Sequence, residues 1–265
     1  MSLDLLRDRR LRAVPWRDLV PLRRREVVDE LLLPLPWLAL SLGLAHYRLY
    51  AAALAASFVF FLTGLRVVHN AYHYALGLPR PLTEAVMALL SVLMLGSMHA
   101  VQFNHLRHHR HCLGAGDVEG MCARMPAWRA LLVGPWFPLR MHLHALRYGG
   151  RRVRLWLALE VALNVAWVGL VFGAWQAPAL CYHVAAMAAG QCLTGFFAVW
   201  TVHHDCDRGR HVARTLRGRL KNALSFSMFY HAEHHLFPRV PTRRLHLLAE
   251  RLDAAVPELR EKQVF

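Results

Sequence analysis

The stretch that decides how this chain folds is Tyr230-His231-Ala232-Glu233-His234-His235-Leu236-Phe237-Pro238. Its histidines follow a His-x-x-His-His spacing. Residues three and four apart share one face of a helix, so this spacing predicts a helix that presents its imidazoles on adjoining turns. Imidazole is a common ligand of iron, zinc and copper. The stretch therefore predicts a metal site.

Two earlier runs also space histidines by one helical turn: His69-Asn70-Ala71-Tyr72-His73, which is His-x-x-x-His, and His105-Leu106-Arg107-His108-His109, which is His-x-x-His-His. Together the three runs hold eight of the 18 histidines. A single histidine on an apolar helix is more often a packed core residue or a surface residue than a ligand. Three suitably spaced runs on one chain would need independent coincidences, and none of them contains a cysteine. The sequence therefore predicts a metal centre built from imidazole nitrogens.

The composition is that of a membrane protein. Hydrophobic residues make up 56% of the 265 positions and charged residues only 18%, with a net charge of +15. The basic residues alternate with long apolar segments, so the expected partner is an anionic membrane surface and not a nucleic acid. The five cysteines are odd in number and form no Cys-x-x-Cys motif, which favours reduced thiols over disulfides.

Four apolar segments can each supply the roughly 20 helical residues that cross a bilayer. They are paired into two hairpins, and the second helix of each hairpin leads directly into histidines. The predicted spans are about 31–47, 50–68, 155–174 and 179–202. A further apolar stretch at about 82–101 would separate the first two histidine runs if it crossed once. We therefore expect it to form a membrane-embedded or interfacial helix that does not cross.

The remaining segments are polar or amphipathic. Residues 1–30 are arginine-rich, from Arg7 to Arg25, and predict an interfacial segment with Trp16 at headgroup level, or alternatively a solvated arm. Residues 126–149 are typical of an interfacial helix, on which His142 and His144 are expected to be surface residues. The sequence thus predicts a single-domain all-α membrane protein over 1–265. It would have two transmembrane hairpins, interfacial helices, a histidine-rich helical cap over 203–265 and both termini in the cytoplasm.

The order of the three histidine runs on a chain with two hairpins resembles the integral-membrane fatty acid desaturase/hydroxylase superfamily. The resemblance extends over roughly residues 45–250 and is closest in the block 222–241. It implies a non-haem di-iron centre on the cytoplasmic side, two iron ions with O₂ as co-substrate, and one more histidine ligand after the last span. His203 and His204 both fit that position. The implied candidate ligands are His69, His73, His105, His108, His109, His203, His204, His231, His234 and His235.

No catalytic group beyond these ligands is implied. Polar side chains near the histidines are candidates to orient the imidazole rings through their N–H groups. Those candidates are Asp117, Asp205, Asp207, Glu233 and Asn222.

The resemblance implies an oxidoreductase of the inner (cytoplasmic) membrane that acts on a lipid or fatty acyl chain, most simply by introducing a C=C double bond. Hydroxylation, carotenoid ketolation and oxidative decarboxylation remain alternatives on the same scaffold. The sequence lacks the His-Pro-Gly-Gly motif of a fused cytochrome, so electrons are expected from a separate ferredoxin, rubredoxin or cytochrome b5-like donor. A different class, a histidine-rich metal-binding or transport protein, should place ionisable residues within its spans. Glu160 and His183 are the main candidates there.

Overall fold

The structure, a computed structural model, describes residues 8–207 and 211–264. Arg7 of the predicted basic segment lies outside the described residues. Within them every regular element is helical, and the one β-bridge, Thr215 with Gln263, is isolated. The predicted all-α class is confirmed. The α-helices longer than one turn are α1 (Arg9–Ala13), α2 (Arg24–Leu32), α3 (Leu35–His46), α4 (Tyr50–Tyr72), α5 (Arg80–Leu93), α6 (Met98–His111), α7 (Ala127–Leu132), α8 (Trp136–Tyr148), α9 (Arg151–Gly169), α10 (Pro178–Thr194), α11 (Arg219–Leu224), α12 (His231–Leu236) and α13 (Leu245–Ala255).

Four helical stretches in the described part of the chain are long and apolar enough to cross a membrane, as predicted. Helices α2 and α3 together form the first, α4 the second, and α9 and α10 with their π-helical continuations the third and fourth. Only 17% of the apolar window of the third stretch is buried inside the protein, so most of its apolar surface faces outward, as lipid contact requires. Their bounds are Arg24–His46, Tyr50–Tyr72, Arg151–Trp175 and Pro178–His203, somewhat longer than the predicted spans.

The prediction of one helix over 82–101 is wrong. This stretch is divided between α5 and α6, whose axes meet at 112°. Ser97 caps the start of α6, with its hydroxyl accepting a hydrogen bond from the Ala100 amide at 3.2 Å. The apolar composition continues through the bend, which is why hydropathy alone joined the two helices. We refer to the bend at residues 94–97 as the α5–α6 elbow.

The backbone N–H groups at the start of α6 all have side-chain partners. The first N–H groups of a helix have no partner inside the helix, and in an apolar layer water cannot replace one. Three neighbouring helices, α5, α8 and α9, provide partners here. The acceptors are His142 Nε2 for Ser97, Ser91 Oγ for Met98, a Glu160 carboxylate oxygen for His99 and Ser97 Oγ for Ala100.

Two histidines that we expected at the surface therefore take part in packing. His142 accepts the Ser97 amide at 2.9 Å, and the His144 ring lies 2.7 Å from Asn104 Oδ1. Both side chains come from α8 and contact the α6 segment. The expectation rested on the spacing of two residues, which points the two rings to different faces of a helix. Helix α8 in fact packs against α6 over a wide enough face to engage both.

The N-terminal segment packs on the protein. Leu11, Val14 and Leu19 are buried in one hydrophobic cluster with residues of α13. Trp16 packs against Phe237 with ring centroids 5.7 Å apart, so the alternative of a solvated arm is wrong for the described part of this segment, and the place of Trp16 at headgroup level stays a prediction. The arginines of the surrounding region pair with acids across this contact, for example Arg251 with Asp18 at 2.7 Å.

Candidate metal centre

Four helical segments bring the histidine runs together. His69 lies in the last turn of α4, and His73 directly follows that helix. The second run occupies the last turns of α6, and the third run forms most of α12. His203 is the last residue of the fourth spanning stretch. All three predicted runs and one of the two additional histidines therefore converge on one buried region.

Five of these histidines form the first group. His105 Nε2 lies 3.0 Å from His73 Nε2 and 3.2 Å from His109 Nε2. His234 Nε2 lies 2.9 Å from His109 Nε2. The His69 ring packs against that of His234, with centroids 4.0 Å apart. Donor atoms of His69, His73, His105 and His234 all lie within 4.8 Å of one another.

Four histidines form the second group. His203 Nε2 lies 3.0 Å from both His108 Nε2 and His231 Nε2. His235 Nε2 lies 3.2 Å from His231 Nε2. The two groups are adjacent, since the His235 ring stacks on that of His109 with centroids 4.2 Å apart.

The spacing of the nitrogens fits ligands that share a metal ion. A metal–imidazole bond of about 2.1 Å places two donors at right angles about 3.0 Å apart. The closest Nε2 separations in the two groups are 2.9–3.2 Å. In addition, both ring nitrogens of His69 are buried without a hydrogen-bond partner among the described residues. A buried polar group without a partner is costly, and a bound metal ion would remove that cost.

Hydrogen bonds at Nδ1 fix the direction of three of the rings. Asp117 accepts from His108 Nδ1 at 2.8 Å, and Glu119 accepts from His105 Nδ1 at 2.7 Å. The backbone carbonyl oxygen of Val212 does the same for His203 at 2.9 Å. A proton held at Nδ1 leaves Nε2 as a lone-pair donor that faces the other rings. Sequence reasoning proposed Asp117 but missed Glu119, although both lie in the glycine-containing loop that follows the second run.

The electrostatics outside the spans favour neutral imidazoles at His73 and His234, whereas the hydrogen bond with Asp117 outweighs burial at His108 and raises its pKa well above the usual range. Burial lowers the pKa of His73 to about 3, and burial and neighbouring imidazoles hold the pKa of His234 well below its usual range. Burial raises the pKa of Asp117, but its hydrogen bonds from His108 and two backbone amides outweigh this and leave the pKa at about 2. Burial raises the pKa of Glu119 to about 7. A neutral imidazole is the form that binds a metal ion.

Several predicted residues lie elsewhere. The His204 ring stacks on Trp200, with Nδ1 3.3 Å from the Ala123 carbonyl oxygen, so it does not join either group. Asp205 is exposed and pairs with Lys262. Asn222 donates to the Leu216 carbonyl oxygen at 2.8 Å.

Glu233 faces away from the imidazoles although it lies between two of them in the sequence. Its buried carboxylate accepts the Thr215 hydroxyl at 2.8 Å and pairs with Arg217 at 2.6 Å. That contact anchors α12 instead of orienting a ring. The Asp207 amide donates to the His211 carbonyl oxygen at 3.1 Å, and a role for its carboxylate at the centre stays a prediction.

Cys112 is a neighbour that the sequence did not suggest. Its Sγ lies 3.9 Å from His108 Nε2, one helical turn beyond the second run. The same sulfur lies 3.7 Å from the Val212 carbonyl oxygen, to which its S–H donates. The sulfur and donor atoms of His108, His203 and His235 all lie within 4.8 Å of one another, so Cys112 is a further candidate ligand of the second group.

The ionisable residues inside the spans are structural contacts. Glu160 is fully buried and bonds the α5–α6 elbow, and His183 Nε2 lies 2.9 Å from the Leu93 carbonyl oxygen. Both contact the same elbow from different helices. A transporter would instead need such groups to line a path across the membrane.

Comparison with known proteins gives one family. The fatty acid desaturase family profile matches residues 45–264. The beta-carotene ketolase of Paracoccus sp. (strain N81106 / MBIC 01143) is 27% identical over 234 residues, which cover 79% of this chain and 86% of that enzyme. The rat sphingolipid delta(4)-desaturase/C4-monooxygenase DES2 is 27% identical over 166 residues, 58% of this chain and 50% of the rat enzyme. Its bovine counterpart is 26% identical over 80% of this chain and 68% of the bovine enzyme.

Proposed function

The chain belongs to the fatty acid desaturase family, and we propose that it is a membrane-bound, O₂-dependent, non-haem di-iron oxidoreductase that introduces a C=C double bond into a lipid or fatty acyl chain. The observation that carries this proposal is the pair of adjacent imidazole groups, whose Nε2 atoms lie 2.9–3.2 Å apart, a spacing that fits ligands of two metal ions. The four candidate spanning helices support a substrate that is itself dissolved in the bilayer.

The two groups divide the ligands between two iron ions. One ion would be held by His69, His73, His105, His109 and His234. The other would be held by His108, His203, His231 and His235. His203 is therefore proposed as the additional ligand, and His204 is not.

Bound iron would supply the activation of O₂ and the removal of hydrogen from an unactivated C–H bond. Formation of one double bond removes two hydrogen atoms from the chain, and two further electrons and two protons complete the reduction of O₂ to two waters. We assign the two electrons to a separate ferredoxin, rubredoxin or cytochrome b5-like donor.

The protein's own residues orient the imidazole donor atoms and exclude water from them. Asp117, Glu119 and the Val212 carbonyl oxygen hold protons at Nδ1 of their imidazoles. His108 and His203 are almost fully buried, so water has little access to the ligand atoms. A rigid, water-excluded ligand set protects a reactive centre from side reactions.

Hydroxylation or ketolation on the same ligands is the second candidate. The relatives named above include a carotene ketolase and enzymes named both desaturase and monooxygenase. Product analysis separates these reactions, because desaturation removes two hydrogen atoms, hydroxylation adds one oxygen atom, and ketolation replaces two hydrogen atoms by one oxygen. Mass spectrometry of lipids from cells with and without the protein measures the difference directly.

We further propose that the metal centre and both termini face the cytoplasm of the inner membrane. The first and third histidine runs lie at the same end of the bundle, so one side of the membrane must hold them all. A topology reporter fused after Phe265 should be active in the cytoplasm. A reporter active only on the outer face would overturn this orientation.

Metal content of the detergent-purified protein tests the proposed centre. We expect about two irons per chain, a loss of iron in His234→Ala, and full iron in His246→Ala, whose exposed side chain lies on α13 outside both groups. The pair His203→Ala and His204→Ala tests the proposed ligand choice, since only the first should lose iron. Zinc in place of iron, or iron unchanged in His234→Ala, would refute the di-iron proposal and favour a metal-binding or transport protein.

A further inference from the structure

A cavity of about 370 Å³ lies between the 3₁₀-helix Glu119–Arg124 and the helices α7 and α8. Its volume is within the range of small-molecule sites in proteins. The lining combines a hydrophobic part with two arginines: Met121, Met125, Val133, Trp136, Arg129 and Arg140.

Both arginines beside the cavity are exposed. Among the described residues, neither the Arg129 nor the Arg140 guanidinium forms a hydrogen bond or an ion pair. Several arginines elsewhere in the described residues pair with acids, as Arg217 does with Glu233 and Asp253. Two guanidinium groups beside one cavity create a positive site that matches a carboxylate or a phosphate.

The outer wall of the cavity is rich in exposed apolar side chains. Helices α7 and α8 expose large apolar side chains, among them Trp128 at 63%, Leu132 at 69% and Trp136 at 62%. Arginines and tryptophans are typical of the level at which lipid headgroups lie. A lipid could therefore enter the cavity from the bilayer with its headgroup at the arginines.

Two residues of the inner wall of the cavity, Met121 and Met125, lie close to residues that position the metal ligands. Met121 follows Glu119, the partner of His105, by two residues, which is about 4 Å along a 3₁₀-helix. The Met125 carbonyl oxygen accepts the Trp200 indole N–H at 2.8 Å, and Trp200 precedes His203 by one turn. The apolar part of the cavity thus adjoins residues that position ligands of both histidine groups.

The turn between α7 and α8 is held firmly in place. A Cβ added to Gly134 would lie 2.0 Å from the Cys192 carbonyl oxygen, so only glycine permits this approach to α10. The relative position of the cavity-lining Val133 and Trp136 is therefore set by a backbone contact. A site whose walls are fixed before binding loses less free energy in ordering them.

We propose that this cavity binds the anionic headgroup of the substrate lipid, a carboxylate or a phosphate ester, through Arg129 and Arg140. Met121, Met125 and Val133 contact the adjoining part of the hydrocarbon chain. The assignment rests on the proposed function and deepens it, because it selects an acidic acyl amphiphile over a neutral carotenoid as the substrate class.

Binding to metal-free protein tests this without turnover. The full chain, treated with a chelator and reconstituted in zwitterionic nanodiscs, is titrated with brominated long-chain probes that quench tryptophan fluorescence. The probes are a fatty acid, the corresponding alkyl phosphate and the corresponding alcohol. We expect one of the anionic probes to bind at least about tenfold more tightly than the alcohol, since charge-assisted hydrogen bonds contribute on this scale. The tighter of the two identifies the headgroup.

Variants test whether the preference for anionic headgroups arises from this cavity. The double variant Arg129→Gln/Arg140→Gln should bind all probes equally, whereas Arg147→Gln, on α8 outside the cavity, should keep the wild-type preference. Trp136→Phe should lose the saturable part of the quenching. Equal binding of acid, phosphate and alcohol by the wild-type protein would overturn the proposal, and so would displacement by inorganic phosphate alone, which would indicate a site for free anions. Headgroup preference without any oxidised product would leave this site standing and refute the proposed function instead.

Discussion

Replacement of Glu160 by alanine should destabilise the protein strongly, although Glu160 touches no proposed ligand. Its carboxylate is fully buried between α9 and the α5–α6 elbow. It lies 2.6 Å from the Ser91 hydroxyl, 2.5 Å from the Ser97 hydroxyl and 2.7 Å from His99 Nδ1. It also accepts the His99 backbone N–H at 3.2 Å.

The magnitude follows from these contacts. A buried donor left without its acceptor costs about 1–3 kcal/mol, and Glu160→Ala would remove the acceptor of the Ser91 and Ser97 hydroxyls and of the His99 backbone N–H. Water cannot enter freely among apolar helices, so Glu160→Ala should lose about 3–5 kcal/mol. At about 2–4 °C per kcal/mol for a chain of this size, the melting temperature should fall by roughly 6–20 °C. Glu160→Gln keeps the shape but turns an N–H₂ group toward donors, and should lose about half as much.

Thermal unfolding in detergent, followed by a thiol-reactive dye, measures this loss. Glu250→Ala, an exposed position on α13, is the matched control and should change the melting temperature by no more than about 2 °C. Iron content should fall in Glu160→Ala as well, because the elbow positions α6 and its three ligand histidines. A melting temperature for Glu160→Ala within about 2 °C of the wild type would refute the reasoning that the elbow depends on this carboxylate.

Three further predictions concern the metal centre itself. Asp117→Asn should reduce iron affinity or activity by about 10–100-fold, because the amide no longer provides a charged acceptor for His108 Nδ1. Iron content and activity per bound iron of the purified variant measure this reduction. Unchanged iron content and activity would contradict the prediction. Cys112→Ser should keep iron and activity, since its S–H bonds a backbone carbonyl; metal analysis showing one iron lost would make the sulfur a ligand. Acidification should release the metal. Burial lowers the pKa of His73 in the folded protein to about 3, against an ordinary value near 6.5. The unfolded chain therefore binds more protons below about pH 6.5, and the stability of the folded protein falls as the pH drops below that value. Iron retained after desalting at a series of pH values tests this, and full retention down to about pH 4 would contradict it.

The convergence of the histidines could be predicted because it is a matter of spacing and of where helices end. His69 and His73 are one helical turn apart at the end of an apolar stretch, so their direction follows from the period of the helix and the thickness of the membrane. The four spans were predicted for the same reason, since about 20 apolar residues in a row permit few alternatives.

The partners of the histidines could not be predicted, because they depend on loop paths. Asp117 and Glu119 are two residues apart, and only the folded loop shows that each accepts from a different ring. The choice between His203 and His204 depends on where the helix ends and on the Val212 carbonyl oxygen, which comes from the segment after the last span. Neither feature has a periodic signal in the sequence.

The α5–α6 elbow shows what the metal centre demands of the rest of the fold. His73 Nε2 and His105 Nε2 are 3.0 Å apart, so the chain between the first two histidine runs must begin and end at the same level of the bundle. A single straight helix over residues 82–101 could not do this, and a bend in an apolar region leaves backbone N–H groups without partners. Polar residues of three neighbouring helices provide these partners, because Ser91 of α5, His142 of α8 and Glu160 of the third span accept those N–H groups. A carboxylate at the start of α6 is also favoured by the positive end of the helix dipole. An acidic residue within a predicted span is therefore explained here by a reversal of the chain, and the histidine spacing that demands the reversal is itself visible in the sequence.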